Sequence, residues 1–312
     1  MLDRLPGWLR RALTTTLSLL VVATVHRCVR DPIADTLGRP VTMQIPDKGP
    51  HLRIVTWNVR NFPDESEEAH LAERLAALDA DLVALQELRD PIGAARLLPD
   101  HELHTSTEGG RGGQHVGFAF DPLVLELVAG PFEHPSMTMG GRVRPALSGR
   151  LRHRATGLQL DVVVVHLKAT PRGHALRQEQ WARLIEITEA VDDTPLFVLG
   201  DFNTTGPPPG ATPIELAALE LRLAQSALRR VALSRPCTAY WEGARHDAWK
   251  ESSILDLVWV RGPSSWKDLR AHPWGPCARH ACRAFRSPEA YPDLDLLRGS
   301  DHCPVSVDVF LQ

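Results

Sequence analysis

Acidic, amide and imidazole side chains stand at the ends of short apolar runs in widely separated parts of the chain. Carboxylate and amide oxygens are ligands that suit Mg²⁺, and histidine exchanges protons near neutral pH because its unperturbed pKa is about 6.5. Strand ends are also where side chains leave the core and loops begin. The pattern therefore indicates a cleft for metal-ion and proton-transfer chemistry, and its residues are Asn58, Glu87, His166, Asp201, Asn203, Asp256, Asp301 and His302.

Each of these residues also has a structural interpretation. An aspartate at a single strand end is more often a turn or capping residue than a ligand. Asp256 lies inside an apolar run, where a carboxylate is costly to bury unless it is paired, so a structural ion pair is one alternative. His166 could likewise be a core histidine. Turn chemistry does not explain why such residues recur at the ends of six separate runs.

The apolar runs that carry these residues predict buried strands, with helices between some of them. The predicted strands are residues 52–57, 81–86, 117–120, 161–165, 196–199, 254–260 and 305–311. Leu71, Leu75 and Leu78 are spaced for one face of a helix, and residues 181–191 and 213–229 also have helical patterns. The segment 262–299 has little periodicity, so we expect a long loop with one short helix there.

Composition is that of a globular protein. The chain has 312 residues, of which 43% are hydrophobic and 23% charged, and these fractions exclude collagen-like, coiled-coil and wholly disordered proteins. The net charge of −3 gives no overall positive field to attract an anionic partner. An anionic substrate therefore requires a local binding site, and a metal ion is an effective way to build one.

The first 30 residues are typical of a targeting segment. Arg4, Arg10 and Arg11 precede an apolar stretch at 12–25, which is short for a membrane span but suits a signal peptide. An uncleaved membrane anchor is the alternative. We therefore predict a signal peptide or anchor at residues 1–30, a linker at 31–49 and one domain at 50–312. The protein would be exported, to the periplasm or outside the cell, or anchored at its N-terminus.

Export changes how the cysteines are interpreted, because disulfides persist in oxidising compartments. Cys277 and Cys282 are five positions apart in a loop-like stretch and could pair as a small disulfide. Cys237 and Cys303 lie in apolar or strand-like surroundings, which favour buried free thiols.

Six segments together resemble the endonuclease/exonuclease/phosphatase superfamily, which includes DNase I-like nucleases. They are TWNVRNF, LQELRD, VVHLKA, LGDFNTT, LDLVWV and GSDHCPV, and they occur in the order of the family. The resemblance covers residues 50–312 and implies an α+β fold. That fold is a four-layer α/β/β/α sandwich of two packed, mainly antiparallel sheets with helices outside.

The resemblance also implies a role for each site residue. Glu87 matches the metal-binding glutamate, and Asn58 and Asp301 match residues that complete or support the Mg²⁺ site. Asp201 and Asn203 match the pair that orients the nucleophile and contacts the phosphate.

The matching histidines and arginines would act on the substrate. His302 matches the histidine beside the attacking water, with Asp256 as its carboxylate partner, and His166 matches a second histidine that contacts the phosphate or assists the leaving group. Arg89 and Arg144 stand where DNase I-like members place arginines near nucleic-acid phosphates.

The implied activity is hydrolysis of a phosphodiester by in-line attack of water, with Mg²⁺, or Mn²⁺ or Ca²⁺ in its place. A DNase I-like endonuclease acting on nucleic acid is the first hypothesis. A sphingomyelinase-like enzyme, or a phosphodiesterase or phosphatase for a small phosphorylated substrate, is the second, and a binding module without turnover is the third. No protein partner is predicted.

Two departures from the family pattern affect this interpretation. His166 in HLKA argues against the AP-endonuclease branch, and Gln114 stands where DNase I-like members carry a glutamate that supports the second histidine.

Overall fold

Two large β-sheets form the centre of the protein. The computed structural model describes residues 45–207, 212–243 and 248–311. The strands in this part of the chain are β1 (Leu52–Phe62), β2 (Leu82–Leu88), β3 (Glu102–Thr105), β4 (His115–Phe120), β5 (Leu125–His134), β6 (Ala146–His153), β7 (Gln159–His166), β8 (Leu196–Asp201), β9 (Arg229–Arg230), β10 (Ala232–Leu233), β11 (Ala239–Trp241), β12 (Trp249–Ser253), β13 (Asp256–Arg261), β14 (Arg270–Pro273), β15 (Phe285–Arg286) and β16 (Val305–Val309). The helices are α1 (Glu68–Leu78), α2 (His174–Glu189), α3 (Thr212–Leu223) and α4 (Pro276–Arg279).

The first sheet has the strand order β10-β14-β16-β1-β2-β4-β3, and the second has the order β5-β6-β7-β8-β13-β9. Most neighbouring strands are antiparallel. The exceptions are β1 with β2, β7 with β8, and β10 with β14, which are parallel. The carboxyl ends of β1 and β2 therefore meet at one end of the first sheet, and those of β7 and β8 meet at one end of the second.

The two sheets pack face to face, and helices cover their outer faces. One apolar core is shared by both sheets and includes Ile54, Phe118, Val162, Phe197 and Val307. A second core joins the outer face of the second sheet to α2 and α3 through residues such as Trp181 and Leu219. A third joins the outer face of the first sheet to α1. The predicted four-layer α+β sandwich is confirmed.

The valine run at the end of β7 shows why the sequence gives this layering. Val162 and Val164 face the core between the sheets, whereas Val163 and Val165 face the helices. Successive side chains of a strand point to opposite faces, so a strand covered on both sides needs apolar residues at every position. On α1, Leu71, Leu75 and Leu78 form the buried stripe, as predicted.

A small sheet of β11, β12 and β15 lies beside the two large ones and is held by two disulfides. Cys237 is bonded to Cys282, and Cys277 to Cys303. The predicted bond between Cys277 and Cys282 is therefore wrong, and so is the assignment of Cys237 and Cys303 as free thiols. Proximity along the chain misled the prediction, because the fold brings each cysteine to a partner 26 or 45 residues away.

The segment 262–299 is more structured than expected. It contains β14, which pairs with β16 in the first sheet, and the short helix α4. A π-helical turn, Asp295–Gly299, leads into the segment that carries Asp301 and His302. The predicted signal peptide or anchor lies outside the described residues, as does most of the predicted linker, so both stay predictions. Among the described residues, no helix is long and apolar enough to cross a membrane.

Candidate active site

Strand register brings the site residues of the second sheet side by side. His166, the last residue of β7, is paired with Asp201, the last residue of β8. Asp201 is also paired with Asp256, the first residue of β13. The first sheet contributes Asn58 from β1 and Glu87 from the end of β2.

His302 and Asp256 form a hydrogen-bonded pair, here called the dyad. His302 Nδ1 and Asp256 Oδ2 are 2.8 Å apart, and Asp256 is fully buried. The hydroxyl oxygen of Thr238 accepts the backbone N–H groups of Leu255 and Asp256, each at 2.9 Å. Thr238 thus fixes the start of β13, and this contribution was not anticipated from the sequence.

The electrostatics of the dyad favour a charged imidazole. Burial alone would disfavour it, but the carboxylates of Asp256 and Asp201 outweigh burial and raise the pKa of His302 well above its usual value. Burial raises the pKa of Asp256 to about 6, although the positive charge of His302 opposes the shift. The raised pKa of His302 makes its neutral form a stronger base than a free histidine.

Asp201 is the hub of the site. Its Oδ2 accepts hydrogen bonds from Asn58 Nδ2 at 3.1 Å and Asn203 Nδ2 at 2.9 Å, and its Oδ1 accepts the Asn203 backbone N–H at 2.8 Å. Oδ2 also lies 3.3 Å from His166 Nε2 and 3.9 Å from His302 Nε2. Burial disfavours the charged form, yet the two histidines and the hydrogen bonds lower the pKa of Asp201 to about 2. Asp201 is therefore a carboxylate at neutral pH.

Glu87 extends this cluster on the side of the first sheet. Its Oε2 accepts the backbone N–H of Asn61 at 3.0 Å, and its Oε1 lies 3.6 Å from His166 Nε2. Glu87 has a φ of +64° and Asn203 a φ of +51°, in the left-handed region that non-glycine residues seldom adopt. Such backbone conformations concentrate at functional sites, where the surroundings hold them in place.

His166 is buried and only partly satisfied. Burial and the charge of Arg144 lower its pKa, against the opposing effect of Asp201 and Glu87. Its Nδ1 has no hydrogen-bond partner among the described residues. Gln114, at the position where DNase I-like members are expected to support this histidine, instead donates to Asn61 Oδ1 at 2.6 Å. Gln114, at the position of the family's glutamate, therefore gives no support to His166 Nδ1.

The two predicted substrate-binding arginines occupy different places. Arg144 is buried near the cluster, and its Nε has no hydrogen-bond partner in the described part of the chain. Burial lowers the pKa of Arg144 to about 10 despite the carboxylates of Asp201 and Glu87. Arg89 instead forms an ion pair with Asp64 at 2.8 Å in a half-exposed position. Arg144 thus acts on the site through its charge, whereas Arg89 is directed to Asp64.

A cavity of about 1060 Å³ opens onto these residues. Glu87, His166, Asp201, Asn203, Asp301 and His302 lie on its wall, and the remaining lining residues include Thr170, Thr205, Leu216, Pro236, Trp241, Glu251 and Ile254. No lysine or arginine of the described chain belongs to the lining. The structure therefore brings most of the predicted catalytic and metal residues to one cavity, with Asp256 buried directly behind His302.

The donor set fits a divalent metal ion. Glu87, Asp201 and Asp301 supply carboxylate oxygens at the cavity wall and Asn58 an amide beside them, and hard oxygen ligands of this kind suit Mg²⁺. With Asp256, four carboxylates face Arg144 and the two histidines, so negative charge is in excess. Oxygens of Asp201 and Asp256 and a nitrogen of His302 also lie within 4.8 Å of one another. However, Asp256 Oδ2 is already bonded to His302, which leaves Glu87, Asp201 and Asp301 as the carboxylates on the cavity wall.

Comparison with known proteins agrees with this architecture. A D. rerio TDP2 structure with a single-strand DNA product has a TM-score of 0.58 and 15% identity, covering 83% of this chain and 98% of that one. The human Nocturnin catalytic domain with bound sulfate has a TM-score of 0.56 and 18% identity, covering 83% and 94%. A mannosyl-6-phosphatase of Bacteroides thetaiotaomicron has the same TM-score and identity, covering 83% and 100%.

These structural similarities, at low sequence identity, establish the fold. The sequence itself has no match among curated proteins. It does match the model of the Endonuclease/Exonuclease/phosphatase family over residues 55–302, which include every predicted site residue. The chain therefore belongs to the Endonuclease/Exonuclease/phosphatase family, whose members are phosphoesterase hydrolases.

Proposed function

We propose that this protein is a Mg²⁺-dependent phosphodiester hydrolase. One observation carries the proposal: the His302 imidazole, bonded to Asp256, faces Asp201 in the cavity that also contains Glu87. Proton-transfer groups and hard oxygen ligands thus share one wall. Hydrolysis of a phosphodiester needs both. The anionic ester repels a nucleophile until its charge is neutralised, and the attacking water must lose a proton.

In its neutral form, His302 would take the proton of the attacking water on Nε2, the ring nitrogen that faces Asp201. Asp256 holds the ring by its Nδ1 and stabilises the imidazolium that forms, as the buried carboxylate does in catalytic triads. Asp201 is held as a carboxylate by its hydrogen bonds to Asn58 and Asn203 and orients the water. His166, which lies on the other side of Asp201, would contact the phosphate or assist the leaving group.

Glu87, Asn58 and Asp301 would hold the metal ion, with Mn²⁺ or Ca²⁺ as alternatives to Mg²⁺. When bound, the ion neutralises charge on the phosphate oxygens and so stabilises the transition state. Arg144 supplies a fixed positive charge behind Asp201 and Glu87.

Nucleic acid is the first substrate class to test. The order of the six motifs resembles DNase I-like members, and TDP2, whose fold is similar, has been solved with a single-strand DNA product. The cavity lining favours a second candidate, a compact ester of one phosphate such as a phospholipid or a small phosphorylated molecule. Among the described residues, the wall of the cavity has Pro236, Trp241 and Ile254 but no lysine or arginine, whereas nucleic-acid binding depends on basic contacts to successive phosphates.

The test compares wild type with Glu87→Ala on plasmid DNA, bis(p-nitrophenyl) phosphate, p-nitrophenyl phosphate and sphingomyelin vesicles, with Mg²⁺ or with EDTA. We expect wild type to hydrolyse a diester only with the metal, and Glu87→Ala to lose at least about 100-fold in kcat/KM, in line with the electrostatic contribution of such groups. Glu186→Ala is the matched control, because Glu186 is exposed on α2 and its one ion pair with a described residue is with Arg183.

The outcomes separate the substrate classes. EDTA-sensitive nicking of plasmid would support the nuclease, and cleavage of sphingomyelin or of small esters without nicking would support the compact substrate. Hydrolysis that persists in EDTA, or a folded wild type that binds Mg²⁺ but cleaves none of the four substrates, would overturn the proposal.

A further inference from the structure

Two charged side chains lie fully buried behind the site, on helices that the proposed mechanism does not use. Arg177 of α2 and Glu215 of α3 have no solvent exposure. They form a two-pronged ion pair, with Arg177 Nε 2.6 Å from Glu215 Oε1 and Arg177 NH2 2.8 Å from Oε2. His174 Nδ1 lies 3.2 Å from Glu215 Oε1, so a further titratable group stands beside the pair.

The other donors and acceptors of the pair form hydrogen bonds to two loops of the site, which follow β7 and β8. Arg177 NH1 donates to the carbonyls of Lys168 and Thr170, both at 2.7 Å, in the loop that follows His166. Arg177 NH2 donates to Thr205 Oγ1 at 3.1 Å, and Glu215 Oε2 accepts the Gly206 backbone N–H at 2.5 Å. The second loop follows Asp201 and Asn203. One guanidinium and one carboxylate thus bridge the segments after β7 and β8.

These loops need an external support. Thr170 has a φ of +72°, which is unfavourable for a β-branched residue. Thr170 and Thr205 both line the cavity, so their positions shape the space beside His166 and Asn203. Stability alone does not account for the pair, because replacing a buried ion pair by apolar residues is often neutral or stabilising.

We propose that Arg177 and Glu215 are positioning residues that set the two site loops relative to each other, and with them His166 and Asn203. This inference rests on the proposed function for its activity readout. Neither residue lines the cavity. Because a misplacement of about 1 Å can cost on the order of 100-fold in rate, loosening the loops should lower kcat more than it raises KM.

The test is a double replacement, Arg177→Met with Glu215→Leu, beside the single variant Arg177→Met. The single variant leaves the buried Glu215 carboxylate without its arginine and should unfold at a clearly lower temperature. The double variant should regain most of the wild-type Tm while kcat/KM stays lower by about 10- to 100-fold. Hydrogen exchange at residues 167–170 and 204–206 should be faster in the double variant than in wild type.

A matched control uses a second buried arginine pair. Arg53 donates to both carboxylate oxygens of Asp308, at 2.7 and 2.9 Å, and to the carbonyls of Leu78 and Pro46. It lies five residues before Asn58 in β1, roughly 16 Å along the strand. Arg53→Met with Asp308→Leu should change Tm but neither kcat/KM nor exchange in the site loops.

The two readouts keep this proposal separate from the proposed function. A double Arg177 and Glu215 variant with wild-type kcat/KM and wild-type loop exchange would overturn the positioning role. If wild type hydrolyses no phosphoester, the proposed function fails, and loop exchange alone then decides whether the pair positions the loops. Recovery of both Tm and kcat/KM in the double variant would show that the pair is only structural.

Discussion

The two halves of the site are built differently. Asn58, Glu87, His166 and Asp201, the sheet-end group, stand on strands of the two large sheets, where register fixes their neighbours. His302 instead stands in a connecting segment just before β16. That segment is tied down by contacts from several directions: Cys303 N donates to Thr238 O, Ser300 Oγ donates to Asn58 O, and Trp57 Nε1 donates to His302 O.

The disulfides belong to the second half alone. Cys303 follows His302 directly and is bonded to Cys277, and Cys237 precedes Thr238 and is bonded to Cys282. The two segments that hold the dyad are thus each joined covalently to the region 277–282. A ladder of strands places the sheet-end group and also Asp256, whereas cross-links and single hydrogen bonds place His302 and, next to it, the proposed ligand Asp301. Substitutions in the sheet-end group and substitutions around His302 should therefore impair metal binding and proton transfer to different extents.

The largest expected effect comes from removing the dyad. His302→Ala should lower kcat by about 10²- to 10⁴-fold, the usual contribution of general acid–base catalysis, with little change in metal affinity. Asp256→Asn should lower kcat through loss of imidazole orientation. Since the two residues act as a unit, the double variant should lose no more than His302→Ala alone. The measurement is steady-state kinetics beside a Mn²⁺ titration of each variant.

If the losses of kcat in the two single variants added up in the double variant, His302 and Asp256 would not act as a unit. A drop in Mn²⁺ affinity for Asp256→Asn as large as that for Glu87→Ala would place Asp256 among the metal ligands, together with Asp201 and His302.

Removal of the disulfide beside His302 should have an intermediate effect. Cys277→Ser with Cys303→Ser should lower the free energy of unfolding by about 2–4 kcal/mol and kcat by about tenfold, because His302 loses its neighbouring anchor. Mn²⁺ affinity should fall much less than in Glu87→Ala, since Asn58 and Glu87 are unaffected and only the proposed ligand Asp301 lies beside this disulfide. Thermal unfolding, kinetics and a Mn²⁺ titration test this. Parallel losses of metal affinity and kcat would show that the two halves are not independent.

The same contrast explains what the sequence could predict. Apolar runs indicate strands, and polar residues at their ends mark the sheet-end group, because a strand carries its pattern in consecutive residues. The family resemblance then implies the four layers, in which Ile54 of the first sheet and Phe197 of the second belong to one core between the sheets.

Contacts between distant segments left no such local signal. The cysteine pairing depends on how the chain from 277 to 303 folds back on Thr238, which spacing alone does not encode. Arg177 and Glu215 occupy ordinary helical positions, and their role depends on two loops that meet only in the fold. Strand β14 was missed because it is short and alternates Arg270 and His272 with Ala271 and Pro273.

The smallest expected effect concerns how the π-helical turn before Ser300 is held. Asp295 accepts hydrogen bonds from His70 Nε2 and Arg74 Nε of α1, both at 2.9 Å, and also from Arg279. Burial disfavours its charge, but His70, Arg279 and Arg74 outweigh burial and lower the pKa of Asp295 well below its usual range. Stabilisation by this carboxylate is complete above the unfolded pKa of about 3.9 and is lost as the pH falls from there towards the lower folded pKa.

Asp295→Asn should therefore lower Tm by a few degrees at pH 7, because about 1 kcal/mol corresponds to 2–4 °C in a domain of this size. The difference from wild type should shrink as the pH falls below about 4, and kcat at pH 7 should change by less than about twofold. Thermal unfolding from pH 2 to 7 measures this, with Glu186→Gln as the exposed control. A Tm difference that is the same at every pH would show that Asp295 does not stabilise the protein through its charge. A large loss of kcat would mean that α1, through this turn, also positions His302, and the dyad would then depend on the first sheet's helix as well as on its disulfides.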